Sequence, residues 1–138
     1  MIAYVDSSVL LRVVLGQPDA LKEWGRLSQG VASALVEVEC LRTLDRLRVS
    51  RGLTDDAIAQ RRVAVYRLLE AMEVVEISYP VLARASQPLP TALGTLDAIH
   101  LATALLWKEQ TGVDLTVATH DVALAVAARA SGLRVLGV

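Results

Sequence analysis

Short apolar runs alternate with segments of helical spacing along the whole chain, and this alternation limits the fold more than any other feature. Residues 2–5, 72–77, 115–118 and 134–138 read as strands, with 31–33 as a further short one. Between them lie helical stretches. Ser7 or Ser8 caps a helix to about residue 15, and Pro18 opens a second to about residue 28. Residues 34–48 place Leu35, Val38, Leu41, Leu44 and Leu47 on one predicted helix face. Thr54 caps a helix to residue 70, with Asp55 and Asp56 in its first turn, where the helix dipole favours them. A short helix follows over 79–86. Residues 87–94, with Pro88, Pro90 and Gly94, form the clearest loop. Thr95 caps a long helix to about residue 109, and a last helix spans 122–131. Strands alternating with helices imply an α/β domain: a central parallel sheet of four or five strands with helices on both faces.

The chain has 138 residues, and one domain is the expected organisation. No apolar run reaches the ~18 residues that a membrane span needs. The opening MIAYVDSSVLL has no basic leader and reads as a strand, not a signal peptide. The single cysteine, Cys40, has no partner for an internal disulfide; this fits a reducing cytoplasm and a small core residue. The net charge of -1 announces no strong basic field, yet seven of the twelve arginines lie between Arg42 and Arg67.

In an open α/β sheet the site lies at the carboxyl ends of the strands. Asp6 follows the first strand, Asp121 follows the strand at 115–118, and Asp97 opens a helix after the longest loop. Capping alone accounts for an Asp at any one of these places. Glu39 resists so plain a reading. It lies in VEVECL, close in helical phase to Leu35 and Leu41, and a buried charge there must be paired or bind a metal. Glu37 points elsewhere, toward solvent. Carboxylates brought together repel, and a divalent cation relieves the repulsion. Oxygen ligands suit Mg²⁺ or Mn²⁺, whereas zinc favours His or Cys. Only two histidines are present, His100 and His120. His100 is expected to be structural, and His120 to point away from Asp121. Trp24 and Trp107 are expected in the core or an interface.

The segments YVDSSVLL, ALVEVECLRTL, TLDAIHLATALL and VATHDVALAVAARASGLRVLGV, in this order, resemble a PIN domain. The resemblance is to the VapC-type toxins of prokaryotic toxin–antitoxin pairs and covers essentially the whole chain. It implies a PIN-like three-layer fold and a metal-dependent endoribonuclease whose acids fall on Asp6, Glu39, Asp97 and Asp121. Asp6, Asp97 and Asp121 would hold the metal, with Thr119 as the accompanying hydroxyl. Val122, Ala123 and Leu124 stand where some members carry a further Asp, which counts against a second tightly held ion. The resemblance also implies an RNA substrate, a homodimer, and a cognate antitoxin whose tail occupies the active-site groove.

An acidic pocket repels an RNA backbone, so positive charge is expected beside it. Arg42, three residues after Glu39, and Arg46 one turn further are the candidates, with Ser7 near Asp6. The same arginines would equally serve a dimer or antitoxin surface, since such surfaces favour arginine. Two readings compete with a nuclease. A receiver-like signalling domain wants paired acids after its first strand and a Lys near its last strands, but Val5 precedes Asp6 and the only lysines are Lys22 and Lys108. A non-catalytic assembly or regulatory domain has no use for the repulsion among four acids.

Overall fold

The computed structural model describes residues 1–138. Five strands form one fully parallel sheet: β1 (Ile2–Val5), β2 (Gln29–Ser33), β3 (Glu73–Val75), β4 (Thr116–Ala118) and β5 (Arg134–Leu136). Their order is β3-β2-β1-β4-β5. The central strand is buried on both faces, and Ala3, Tyr4 and Val5 are fully covered, as an unbroken apolar run in a parallel sheet requires. Register pairs Tyr4 with Val31 on one side and Val117 on the other.

Alternation along the strands divides the core into two layers. Ala3, Val5, Ala32 and Ala118 pack against α1 (Ser7–Val14), α2 (Leu35–Arg51) and α3 (Asp55–Glu70). Tyr4, Val31 and Val117 pack against α5 (Thr95–Thr111) and α6 (Val122–Ala130) on the opposite face. The short α4 (Tyr79–Ala85) lies on α5, where Arg84 makes a two-pronged bond to Glu109 at 2.8 and 2.9 Å. Thr54 caps α3 as its sequence implies, accepting from the Ala57 amide at 3.1 Å.

Several expectations need correction. The helix expected from Pro18 to about residue 28 is a series of turns with one 3-10 turn at Trp24–Arg26. Its amides reach back three residues, Trp24 to Leu21 and Leu27 to Trp24. The apolar residues Leu21, Trp24 and Leu27 recur every third position, the period of a 3-10 turn, and Gly25 weakens any longer helix. In α2 the buried row is Val36, Cys40 and Leu44 beside Leu35, while Val38 is half exposed. The row steps by four, not three. The first helix is capped by Asp6 rather than Ser7 or Ser8, and Gly94, not Thr95, is the residue before α5. The strand expected over 72–77 is only Glu73–Val75, an edge strand whose first two residues are exposed.

After β5, the backbone passes so close to β4 that only glycine fits. Gly137 has φ of 101°, and a Cβ there would sit 2.3 Å from the Thr119 carbonyl oxygen. The Thr119 amide donates to Leu136 O at 3.0 Å, and His120 Nδ1 donates to Gly137 O at 2.8 Å. This contact holds the chain just ahead of Asp121. Gly137→Ala should therefore cost more than about 1 kcal/mol, read as a lower denaturant midpoint. An unchanged midpoint would show that the contact yields freely.

Candidate active site

The end of β1 sets the first acid. The Asp6 amide donates to Ala118 O at 3.0 Å, which seats Asp6 beside the end of β4. Asp6 is only 4% exposed, so its oxygens need partners. Oδ1 accepts from the Ser7 amide at 2.7 Å; Oδ2 accepts from Ser8 Oγ and Thr119 Oγ1, each at 2.8 Å. Thr119 Oγ1 in turn accepts from the Asp121 amide at 3.0 Å. One hydroxyl thus ties the first acid to the last. Ser8 Oγ adds a second tie by accepting from the His120 amide at 2.9 Å. Asp121 caps α6 by accepting from the Leu124 amide at 2.9 Å. Capping and site-building are here the work of the same two residues.

The other two acids come from helices. Asp97 is half-buried in the first turn of α5. Burial first, then the negative charges of Asp121 and Asp6, push its carboxyl above the usual range, with His100 opposing them and Glu39 adding to them. Glu39 reaches in from α2. Ligand atoms of Asp6, Glu39 and His100 lie within 4.8 Å of one another. Glu37 is exposed, as expected. Asp6 and Glu39 thus meet, with His100, at the carboxyl edge of β1 and β4; Thr119 ties Asp121 to Asp6, and Asp97 lies near enough to feel the charges of all three acids.

His100 stands closer to this cluster than its sequence implies. It is fully buried, with Nε2 2.5 Å from Glu39 Oε1, Nδ1 2.6 Å from Tyr4 Oη, and Asp6 Oδ1 at 3.7 Å. Burial works to lower its pKa. The Glu39 bond and the charges of Asp6, Glu39 and Asp97 outweigh burial and raise it. With both ring nitrogens engaged, His100 bridges residues and is not a free ligand. The remaining donors are carboxylate and hydroxyl oxygens, which fits a hard divalent cation such as Mg²⁺ or Mn²⁺. Tyr4 and His100 are the site residues that the sequence reading missed. The usable signal was a phenol in an apolar strand, whose hydroxyl needs a partner, and a His one helical turn after Asp97.

A groove of about 430 Å³ opens beside Glu39, lined by Ser7, Val38, Arg42, Thr43, Arg46 and Leu96 among others. Arg42 pairs with Asp45 at 3.2 Å, both exposed, and Arg46 donates to Thr43 Oγ1 at 3.0 Å. An ion pair so exposed is worth little and is easily exchanged. The basic cluster is not uniform, for Arg61 donates to Val14 O at 2.6 Å and closes the end of α1. His120 points away toward Gly137, as expected. Trp107 is in the core and donates to Glu73 at 2.9 Å, while Trp24 packs at the core's margin. Cys40 is buried in the core, and burial with the nearby Glu39 and Asp6 charges pushes its thiol up to about 12, which makes it inert.

The family model of the PIN domain matches residues 3–130. Ribonuclease VapC46 of Mycobacterium tuberculosis is 35% identical to this chain over 137 residues, covering 96% of this chain and 95% of its own. Ribonuclease VapC47 of Mycobacterium tuberculosis is 29% identical over 114 residues, covering 78% and 77%. Among solved structures, VapBC2 from Rickettsia felis, bound to a DNA fragment from its promoter, aligns with a TM-score of 0.68. It covers 98% of this chain and 97% of that one at 14% identity, which shows a shared fold.

The raised Asp97 pKa makes a stability prediction. Between the unfolded value and the higher folded one, the native state binds more protons than the unfolded chain. Stability therefore falls as pH rises through that window, and at neutral pH the ionised group is a net cost. Asp97→Asn should melt at a higher temperature than the wild type at pH 7 without divalent cation, and the gap should close as the pH falls toward 4. A variant less stable at pH 7 would mean that Asp97 is held by favourable bonds rather than crowded by charge.

Proposed function

Because the chain belongs to the PIN-domain family, we propose that it is a metal-dependent endoribonuclease of the VapC toxin type, restrained by a cognate VapB-like antitoxin. The observation that carries this is the convergence of Asp6, Glu39, Asp97 and Asp121 at one sheet edge, in a chain alike over nearly its whole length to a named ribonuclease. The substrate is RNA and the bond broken is its phosphodiester. Residues 1–138 act as one nuclease domain. The working form is a homodimer in the cytoplasm; a lone, buried cysteine suits that reducing compartment. No helix is long and apolar enough to cross a membrane.

Asp6 and Asp97 would hold the cation, Mg²⁺ or Mn²⁺, with Asp121 as a further ligand and Glu39 completing the pocket. Such a cation lowers the pKa of water and neutralises charge on a phosphate. Asp6 is presented in one fixed orientation because Ser7, Ser8 and Thr119 all donate to it. Thr119 holds Asp121 in register with Asp6. Glu39 would complete the pocket through a water of that cation, placed beside the phosphate. Water adds to phosphorus as the bond to the 3′ oxygen breaks, and that oxygen takes up a proton. The products are a 5′-phosphate and a 3′-hydroxyl, with no role for the 2′-hydroxyl. Arg42 and Arg46 line the groove where the RNA backbone would run.

The purified chain should cleave RNA with Mg²⁺ or Mn²⁺ and stop on chelation, leaving 5′-phosphate ends. Asp6→Asn or Asp97→Asn should lower the rate by more than the roughly 10–100-fold that follows loss of a ligand's outer partner, with the fold retained. Chelator-resistant cleavage, or cyclic phosphate ends, would refute the metal-dependent reading. Arg42→Ala and Arg46→Ala should weaken RNA binding and reduce its salt slope by about one per lost phosphate contact, leaving metal binding alone. If instead dimer or antitoxin affinity falls and RNA affinity at fixed dimer concentration does not move, these arginines belong to the partner surface.

A further inference from the structure

Behind the acids, two buried polar side chains run in line toward the pocket. Tyr4 lies in the central strand, fixed between Val31 and Val117. Its hydroxyl is 2.6 Å from His100 Nδ1, and the rings meet edge to face at 70°. His100 Nε2 is 2.5 Å from Glu39 Oε1. Both Tyr4 and His100 are fully buried, whereas Glu39 is at the rim.

The bonds in this chain have a determined direction. A carboxylate only accepts, so Nε2 carries the hydrogen and donates to Glu39. In the neutral ring, Nδ1 then accepts from the Tyr4 hydroxyl. If the ring carries a second proton, Nδ1 donates to the phenol oxygen, which accepts equally well. The bond to Glu39 is the same in both cases. Asp6 does not compete for it, since its oxygen lies at 3.7 Å and it has donors of its own in Ser7, Ser8 and Thr119. Glu39 differs from Asp6 in this respect, for His100 is its one hydrogen-bond donor. A glutamate on a helix has several rotamers, and few of them reach across to a neighbouring helix.

We propose that Tyr4 and His100 are positioning residues that hold the Glu39 carboxylate at the acid pocket, engaging Oε1 and leaving Oε2 for the cation or its waters. This rests on the reading of the four acids as a cation site. The rigid element is the central strand, and the hold passes from it through α5 to α2. Since α5 also carries Asp97, one helix sets two of the acids. A buried Tyr–His pair serving only to satisfy its own polar atoms would affect stability but not act through Glu39.

Calorimetric titration of Mn²⁺ into the full chain separates the two roles. His100→Leu should weaken Mn²⁺ binding about tenfold, the lower end of what loss of an outer partner costs. His100→Gln, whose amide can still donate to Glu39, should recover most of that loss. Tyr4→Phe should give a smaller loss in the same direction. In a Glu39→Gln background, His100→Leu should cause no further loss of Mn²⁺ affinity, while its effect on melting temperature persists. If His100→Leu fails to fold, Tyr4→Phe with Glu39→Gln supplies the same cycle, since it removes a single oxygen. Equal losses of affinity in both backgrounds, or wild-type affinity in His100→Leu, would overturn the positioning role alone. Absence of Mn²⁺ binding by the wild-type chain would overturn the cation site and this role with it.

Discussion

Mutual repulsion among four carboxylates at one sheet edge is the constraint around which this structure is arranged. Burial strengthens that repulsion because the dielectric around the acids is lower than in water. At Asp97, burial first and then the charges of Asp121 and Asp6 push the carboxyl above the usual range. The molecule offsets the cost with directed donors. Asp6, the most buried of the four, receives bonds from an amide and two hydroxyls. Asp121 receives one from an amide of its own helix, and Glu39 one from His100. A divalent cation is the natural complement to what remains.

The rest of the fold serves that edge. The parallel sheet brings the carboxyl ends of β1 and β4 together, and the pairing of Val5 with Ala118 aligns the residues that follow them. Helices α1 and α6 begin at Asp6 and Asp121, so their dipoles favour negative charge at those points. The tight approach of Gly137 to Thr119 brings the last strand to bear on the hydroxyl that links the two acids. Helix α5 is buried along most of its length, and so presents Asp97 and His100 from a stiff support.

Much of this is legible in the sequence, for definite reasons. Asp6 directly after one short apolar run and Asp121 three residues after another place both acids past strand ends, whereas the cap of the first helix, expected at Ser7 or Ser8, falls on Asp6 itself. Glu39 is conspicuous because its neighbours are apolar. What fails is whatever depends on contacts made across the chain. The segment from Pro18 to residue 28 carries an apolar beat of three, which fits a 3-10 turn as well as a helix, and packing chooses between them. The buried row of α2 is chosen by the helices and strand it meets, leaving Val38 at the groove. His100 finds Tyr4 and Glu39 across 96 and 61 residues, a separation no local pattern encodes.

The central claim is that Asp6, Glu39, Asp97 and Asp121 form one cation site. Anomalous diffraction from crystals grown with Mn²⁺ tests it most directly. The expected result is a peak at the carboxyl edge of β1 and β4, within coordination distance of oxygens of Asp6 and Asp97. The peak should be absent from Asp97→Asn crystals grown the same way. A peak outside the four acids, or none at a Mn²⁺ concentration that supports cleavage in solution, would contradict it.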